Sequence, residues 1–196
     1  MKNDIKKLLV EHKNLTDIII NNSFLIDQIK KIINLIHDCF EQDKKVLICG
    51  NGGSAADAQH MAAEFVNRFL IERKALNAEA LNVNTSSLTA ISNDYNFDKI
   101  FSRQIEAKGK KDDILIAIST TGNSKNIIKA IKTAKELKMI TIGFTGNNEI
   151  NKLRDISDYC LCIPSNSTPR IQEMHILVVH IICEFVEKKL FTERIK

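Results

Sequence analysis

Two stretches of this 196-residue sequence hold residues able to do chemistry at spacings that matter. In the first, Asp57, His60, Glu64, Asn67 and Arg68 recur at steps of three and four, with Ala58, Met61, Ala62, Phe65 and Phe69 between them. On a helix these form a polar stripe opposite an apolar one. His60 and Glu64, one turn apart, can both reach a single metal ion or a single substrate. A merely solvated helix face would show the same spacing. In the second stretch, Gln172 and His180 lie eight residues apart, about 80° around a helix, and so share a side. His180 interrupts the most apolar run of the chain, Ile176–Val186, where a core histidine bonded to a carbonyl is the alternative reading. If the two sides meet, imidazole, carboxylate and amide groups converge in an apolar setting. That donor set suits zinc or another borderline divalent ion and requires no thiolate.

Two polar loops follow apolar runs that read as strands. Gly50, Asn51, Gly52, Gly53 and Ser54 come directly after Val46–Cys49 and directly before a helical pattern. Glycines there let the backbone approach a ligand closely, and the helix N-terminus favours an anion. The segment matches neither a P-loop nor a GxGxxG fingerprint, and a structural turn would also explain it. The other loop, Ser119, Thr120, Thr121, Gly122, Asn123 and Ser124, offers four hydroxyls and an amide around one glycine. Hydroxyls, backbone N–H groups and the helix dipole make a phosphate cradle; a plain N-cap by Asn123 or Ser124 is the alternative. No Lys or Arg lies within the loop, which favours a sugar monophosphate over a triphosphate.

These loops need a scaffold, and the pattern supplies one. The first forty residues contain no Gly or Pro, and Ile5, Leu8, Leu9, Ile18, Leu25, Ile26, Ile29, Ile32, Ile33 and Ile36 recur at helical steps. Two helices are predicted, broken near Asn21-Asn22-Ser23. Strands are predicted at 45–49, 114–119, 140–145 and 159–163, with a weaker one at 79–83. Helices are predicted at 55–69, 97–108, 124–137 and about 170–190, with loops at 146–151 and 164–169. Continuous apolar strands alternating with helices imply an α/β protein with a parallel sheet covered on both faces. One domain over 1–196 is expected, its N-terminal helices (1–42) preceding an α/β core (43–196).

Composition narrows the classes further. Lys and Arg number 28 against 24 Asp and Glu, a net charge of +4 with the signs interspersed. The densest basic cluster, at 108–111, runs straight into two aspartates, so no nucleic-acid surface is expected. Cys39, Cys49, Cys160, Cys162 and Cys183 form neither a CxxC pair nor a disulfide framework. The N-terminal residues lack the apolar core of a signal peptide and no run is long enough to span a bilayer. A cytoplasmic protein with no membrane partner is expected.

Four segments, CGNGGSAADAQHMAAEFVNRF (49–69), AISND (90–94), ISTTGNSKNIIKAI (118–131) and TPRIQEMHILVVH (168–180), occur in the order found in a known family. Together they resemble the phosphoheptose isomerases, sedoheptulose 7-phosphate isomerases of the sugar isomerase (SIS) fold, over nearly the whole chain. The resemblance implies a flavodoxin-like three-layer sandwich with a five-stranded parallel sheet, and a homotetramer with active sites at subunit interfaces. It implies His60, Glu64, Gln172 and His180 as ligands of one Zn2+ per subunit, with Glu64 and His180 also catalytic. It implies sugar contacts from Asn51, Gly52, Gly53, Ser54, Arg68, Asn93, Asp94 and Gln172, and phosphate contacts from Ser119, Thr120, Thr121 and Ser124. Thr121 keeps the hydroxyl of a position where serine is frequent, whereas Pro169 stands where many members have Asp or Ala. The implied reaction is an aldose–ketose isomerisation through an enediol, in bacterial heptose synthesis. Two other functions fit the same fold: a tetramer that binds the replication initiator, and an isomerase or lyase of a different sugar phosphate.

Overall fold

In the computed structural model, which describes residues 1–192, the apolar runs become five strands. They are β1 (Val46–Gly50), β2 (Ala78–Ala80), β3 (Ile114–Ile118), β4 (Ile140–Thr145) and β5 (Tyr159–Cys162). All neighbours pair in parallel, in the order β2-β1-β3-β4-β5. Side chains alternate between two cores. Val46 and Ile48 of β1 and Ile114, Ile116 and Ile118 of β3 face one side, while Leu47, Cys49, Leu115 and Ala117 face the other. Both sides are covered, which is why the central strands β1 and β3 are apolar throughout.

Four helices pack over the first face: α1 (Lys2–Ile20), α2 (Ser23–Glu41), α3 (Gly53–Val66) and, last in the chain, α8 (Thr168–Phe191). The second face carries α5 (Ser102–Lys108), α6 (Lys125–Glu136) and α7 (Lys152–Ile156). A further helix, α4 (Thr85–Asp94), buries none of its side chains. Each fully buried aliphatic residue contributes roughly 1.5–3 kcal/mol relative to exposure, and Ile32, Ile36, Ile116, Ile127 and Ile182 are all at 0%. The break in the N-terminal pair falls where expected: the Leu25 N–H donates to the Asn22 side chain at 3.1 Å, capping α2.

Several boundaries differ from the sequence reading. β2 covers Ala78–Ala80, not 79–83, because this edge strand pairs with β1 only as far as Ile48. The 97–108 pattern divides into a 3-10 turn at Phe97–Lys99 and the shorter α5. The last helix starts at Thr168, inside the expected loop, with Pro169 in its first turn. A proline fits there, since the first N–H groups of a helix have no internal partner. Helices α4 and α7 were not anticipated; both begin with an Asn side-chain cap, Asn84 onto Ser87 N–H and Asn151 onto Arg154 N–H.

The strand order reverses direction of growth at the β1–β3 pair, the place where open parallel sheets hold ligands. Gly50 and Ile118 stand in register there. The two polar loops therefore leave the sheet side by side.

Candidate active site

The glycine loop is shaped by backbone geometry. Gly52 has φ +58°, a conformation that side chains rarely adopt. Gly53 opens α3 so close to α8 that a Cβ there would lie 2.5 Å from Nε2 of Gln172. Asn51 and Asn126 exchange amide hydrogen bonds at 2.9 Å in both directions, joining this loop to the start of α6. The Ser54 N–H donates to the Asn51 carbonyl at 3.0 Å, and Ser54 itself is buried under Gly50.

The hydroxyl loop leads from β3 into α6. Ser124 does occupy the N-cap position of α6, yet its hydroxyl makes no cap bond. It lies instead 3.1 Å from the Ser119 hydroxyl. Gly122 has φ +69° and tightens the turn. The loop is braced from behind: the Thr120 carbonyl accepts from Gly146 N–H at 3.0 Å and from the Asn148 amide at 3.1 Å. Thr121 is exposed, and its Oγ1 accepts from Asn123 N–H at 3.3 Å. Paired hydroxyls over a helix N-terminus suit an oxyanion with neutral donors.

His60, Glu64 and His180 converge where α3 meets α8, each offering an atom within 4.8 Å of the others. His60 Nε2 is 2.9 Å from Glu64 Oε1 and 3.1 Å from His180 Nε2. One N–H cannot serve two acceptors at full strength, whereas a cation placed among the three lone pairs satisfies them all. The residues present therefore fit a divalent metal ion. The Phe69 ring stacks on His180, with centroids 5.9 Å and planes 23° apart.

Gln172 lies at the other end of the same helix pair, against Gly53. Seven residues of α3 and eight of α8 separate its contact from the histidine pair, about 10.5 and 12 Å at helical rise. The helices thus run parallel, with the glycine loop at one end of their contact and the triad further along. His180, whose Cβ leans toward the helix N-terminus, points back toward Gln172.

Other expected site residues lie elsewhere in the single chain. Arg68 is exposed with its guanidinium 3.8 Å from Glu72. Asn93 and Asp94 sit at the exposed end of α4, where the Asn93 amide donates to Asp94 at 3.0 Å. They are not part of the α3–α8 cluster, because α4 rests Leu88 and Ile91 on the core of the second sheet face, whereas α3 and α8 cover the first. Two groups beside the site drew no role from the sequence. Asn126 holds Asn51, as described. Asp57 is 9% exposed and its Oδ2 has no hydrogen-bond partner among the described residues. Burial pushes the Asp57 carboxyl up to about 6, against the pull of His60. A buried acceptor without a donor is unfavourable, so a ligand hydroxyl finds a ready partner there.

Comparison with known proteins places this geometry in a family. The SIS domain profile matches residues 14–146. Over 195 residues the chain is 49% identical to the phosphoheptose isomerase of Clostridium acetobutylicum, covering 100% of this chain and 99% of that one. The chain belongs to the phosphoheptose isomerase family. Solved phosphoheptose isomerases agree in backbone as well. That of Francisella tularensis matches with a TM-score of 0.90 at 34% identity, covering 95% of this chain and 97% of that one. That of Neisseria gonorrhoeae matches at 0.89 and 39% identity, covering 95% and 98%. Membership in the phosphoheptose isomerases accords with the α/β fold and five-stranded parallel sheet read from the pattern. Among the described residues no helix is long and apolar enough to cross a membrane.

Proposed function

We propose that the protein interconverts sedoheptulose 7-phosphate and D-glycero-D-manno-heptose 7-phosphate through an enediol, the first step of bacterial heptose synthesis for lipopolysaccharide core or capsule. The observation that carries this reading is the convergence of His60, Glu64 and His180 along the helix pair that starts at the anion loops. The phosphate rests on Ser119, Thr120, Thr121 and Ser124 at the start of α6. Asn51, Gly52, Gly53, Ser54 and Gln172 line the path from there toward the triad, and Asp57 accepts from a sugar hydroxyl. Arg68, Asn93 and Asp94 are assigned as further sugar contacts on the family resemblance alone.

The reaction moves a proton between C1 and C2 and another between O1 and O2, so it needs a carbon base and an oxygen acid–base. Glu64 takes the carbon-bound proton and returns it to the adjacent carbon. His180, its ring held by Phe69, exchanges the oxygen-bound proton and assists ring opening. His60, Glu64 and His180 would hold one Zn2+ per subunit, with Gln172 as the fourth ligand; when bound, the ion polarises the substrate oxygens.

A homotetramer with active sites at subunit interfaces fits the surface. A groove of about 690 Å³ on the outer side of α8, lined by Ile26, Ile29, Ile33, Leu177 and Phe185 among others, is too apolar to face water. A cytoplasmic setting fits the five free cysteines. The deciding experiment is turnover of sedoheptulose 7-phosphate by purified wild type and Glu64→Gln. The variant is expected to lose several orders of magnitude in kcat with its assembly intact. Near-normal turnover by Glu64→Gln would refute the assignment.

A further inference from the structure

One buried ion pair ties together the same two helices that build the triad. Arg73 follows the end of α3, yet its guanidinium turns back onto that helix. Its Nη2 donates to the Glu64 carbonyl and its Nη1 to the Phe65 carbonyl, both at 2.7 Å. These belong to the last turn, whose carbonyls a helix leaves without internal partners. The Arg73 Nε donates to Glu187 Oε1 at 2.9 Å, and the two side chains are only 1% and 3% exposed.

Glu187 stands on α8 seven residues beyond His180, about 20° short of two full turns, so both project from one side. Its carboxylate also accepts three backbone N–H groups: Phe69 at 3.0 Å, Leu70 at 2.7 Å and Ile71 at 3.2 Å. Burial alone would raise the Glu187 carboxyl, but these donors and Arg73 outweigh it and hold it below the usual carboxylate range. Phe69, fixed in this way, is the residue whose ring lies on His180. One end of the pair therefore grips the backbone of Glu64, and the other sets the ring that backs His180.

Apolar packing could join two helices equally well, and buried ion pairs are often replaceable by it without loss of stability. What apolar groups cannot supply is directional bonding to five backbone groups of the α3 end and the turn after it. We propose that the Arg73–Glu187 pair is the positioning device of the triad, fixing how Glu64 and His180 face His60 and so setting the triad's affinity for a divalent cation. This rests on the reading of the triad as a cation site.

The test titrates metal-free protein with Co2+, followed by visible absorption, beside thermal unfolding and sizing of each variant. Arg73→Met/Glu187→Leu removes both charges at similar volume. Arg73→Lys keeps the charge but loses the forked donors. Each is expected to remain folded and to bind Co2+ about 10–100-fold more weakly, the usual effect of losing a group that orients a ligand. His60→Asn serves as the control that abolishes binding. Wild-type Co2+ affinity and spectrum in a folded double variant, whatever its Tm, overturns the proposal. If wild-type protein takes up no Co2+, the cation reading fails by itself. The pair is then judged on the imidazole nitrogen resonances of His60 and His180, which report their 3.1 Å contact. Loss of that signature in both variants supports the positioning role, and unchanged resonances reject it.

Discussion

Gly53→Ala tests whether the glycine loop serves the site or merely the turn. The backbone at Gly53 is the first residue of α3, and alanine is a better helix former than glycine by up to about 1 kcal/mol. On fold alone the variant should be as stable as wild type or slightly more so. The added methyl, however, would sit 2.5 Å from Gln172 Nε2, 2.7 Å from its Cδ and 2.8 Å from its Oε1. Restoring ordinary contact at 3.4 Å displaces the amide by at least 0.9 Å. Misplacement by ~1 Å of a group that positions substrate lowers rate by about 100-fold, or ~2.7 kcal/mol of transition-state stabilisation. The assay is kcat/KM for sedoheptulose 7-phosphate with Tm measured on the same samples. A double-mutant cycle with Gln172→Ala completes it. If the methyl acts by pushing Gln172, the double variant should match Gln172→Ala alone. A variant with unchanged kcat/KM, or losses that simply add in the cycle, would show that this close approach has no bearing on catalysis.

Three other outcomes follow from the geometry. Gly52→Ala meets no atom within 4 Å but must hold φ +58°, so it should lose about 1–3 kcal/mol of stability by urea unfolding. His175 is fully buried, and its Nε2–H donates to the Thr145 carbonyl, 3.4 Å away; burial pushes its imidazole from 6.5 down to about 4. The unfolded chain therefore gains a proton below pH 6.5 that the native state refuses, and stability should fall by up to about 3 kcal/mol as pH drops from 7 to 4. His175→Leu should flatten that part of the Tm–pH curve, and an unaltered slope would refute the burial argument. Asn151→Ala removes the cap of α7 and the amide bonds to Thr145 Oγ1 and the Gly146 carbonyl, both 3.0 Å. It should destabilise by about 2–3 kcal/mol and, if the hydroxyl loop holds the phosphate as proposed, raise KM more than it lowers kcat, because Asn151 also backs Gly122 of that loop.

Much of the scaffold was legible because burial on both sheet faces leaves an unmistakable mark. Val46–Cys49 and Ile114–Ile118 are apolar without alternation, and each ends at a loop of opposite character. Helix α4 was hidden by its composition: Thr85, Ser86 and Ser87 favour caps over helix interiors, and Leu88 and Ile91 alone are too short an apolar stripe to mark a packed face. The triad was legible as two separate i, i+4 and i, i+8 patterns, but their meeting depends on α3 and α8 lying side by side across 120 residues of chain. Arg73 and Glu187 were invisible for a different reason. Arg73 stands in the run Glu72-Arg73-Lys74, which reads as a solvated face, and only the returning chain buries it. Asp57 shared the polar stripe with His60, and nothing in its spacing revealed that its carboxyl would be buried and unpartnered.

The position of α8 in the chain also sets an order of assembly. Every strand precedes it, so a growing polypeptide can pair its sheet before the helix that carries His180 has been made. Until then the cover that α1, α2 and α3 give to Ile114, Ile116, Ile118 and Phe144 is incomplete, and the remaining apolar surface is one that a nascent chain must shield. The segment that completes the cover of this core is also the one that brings His180 to His60 and Glu64, so closing the core and completing the reactive cluster are a single event.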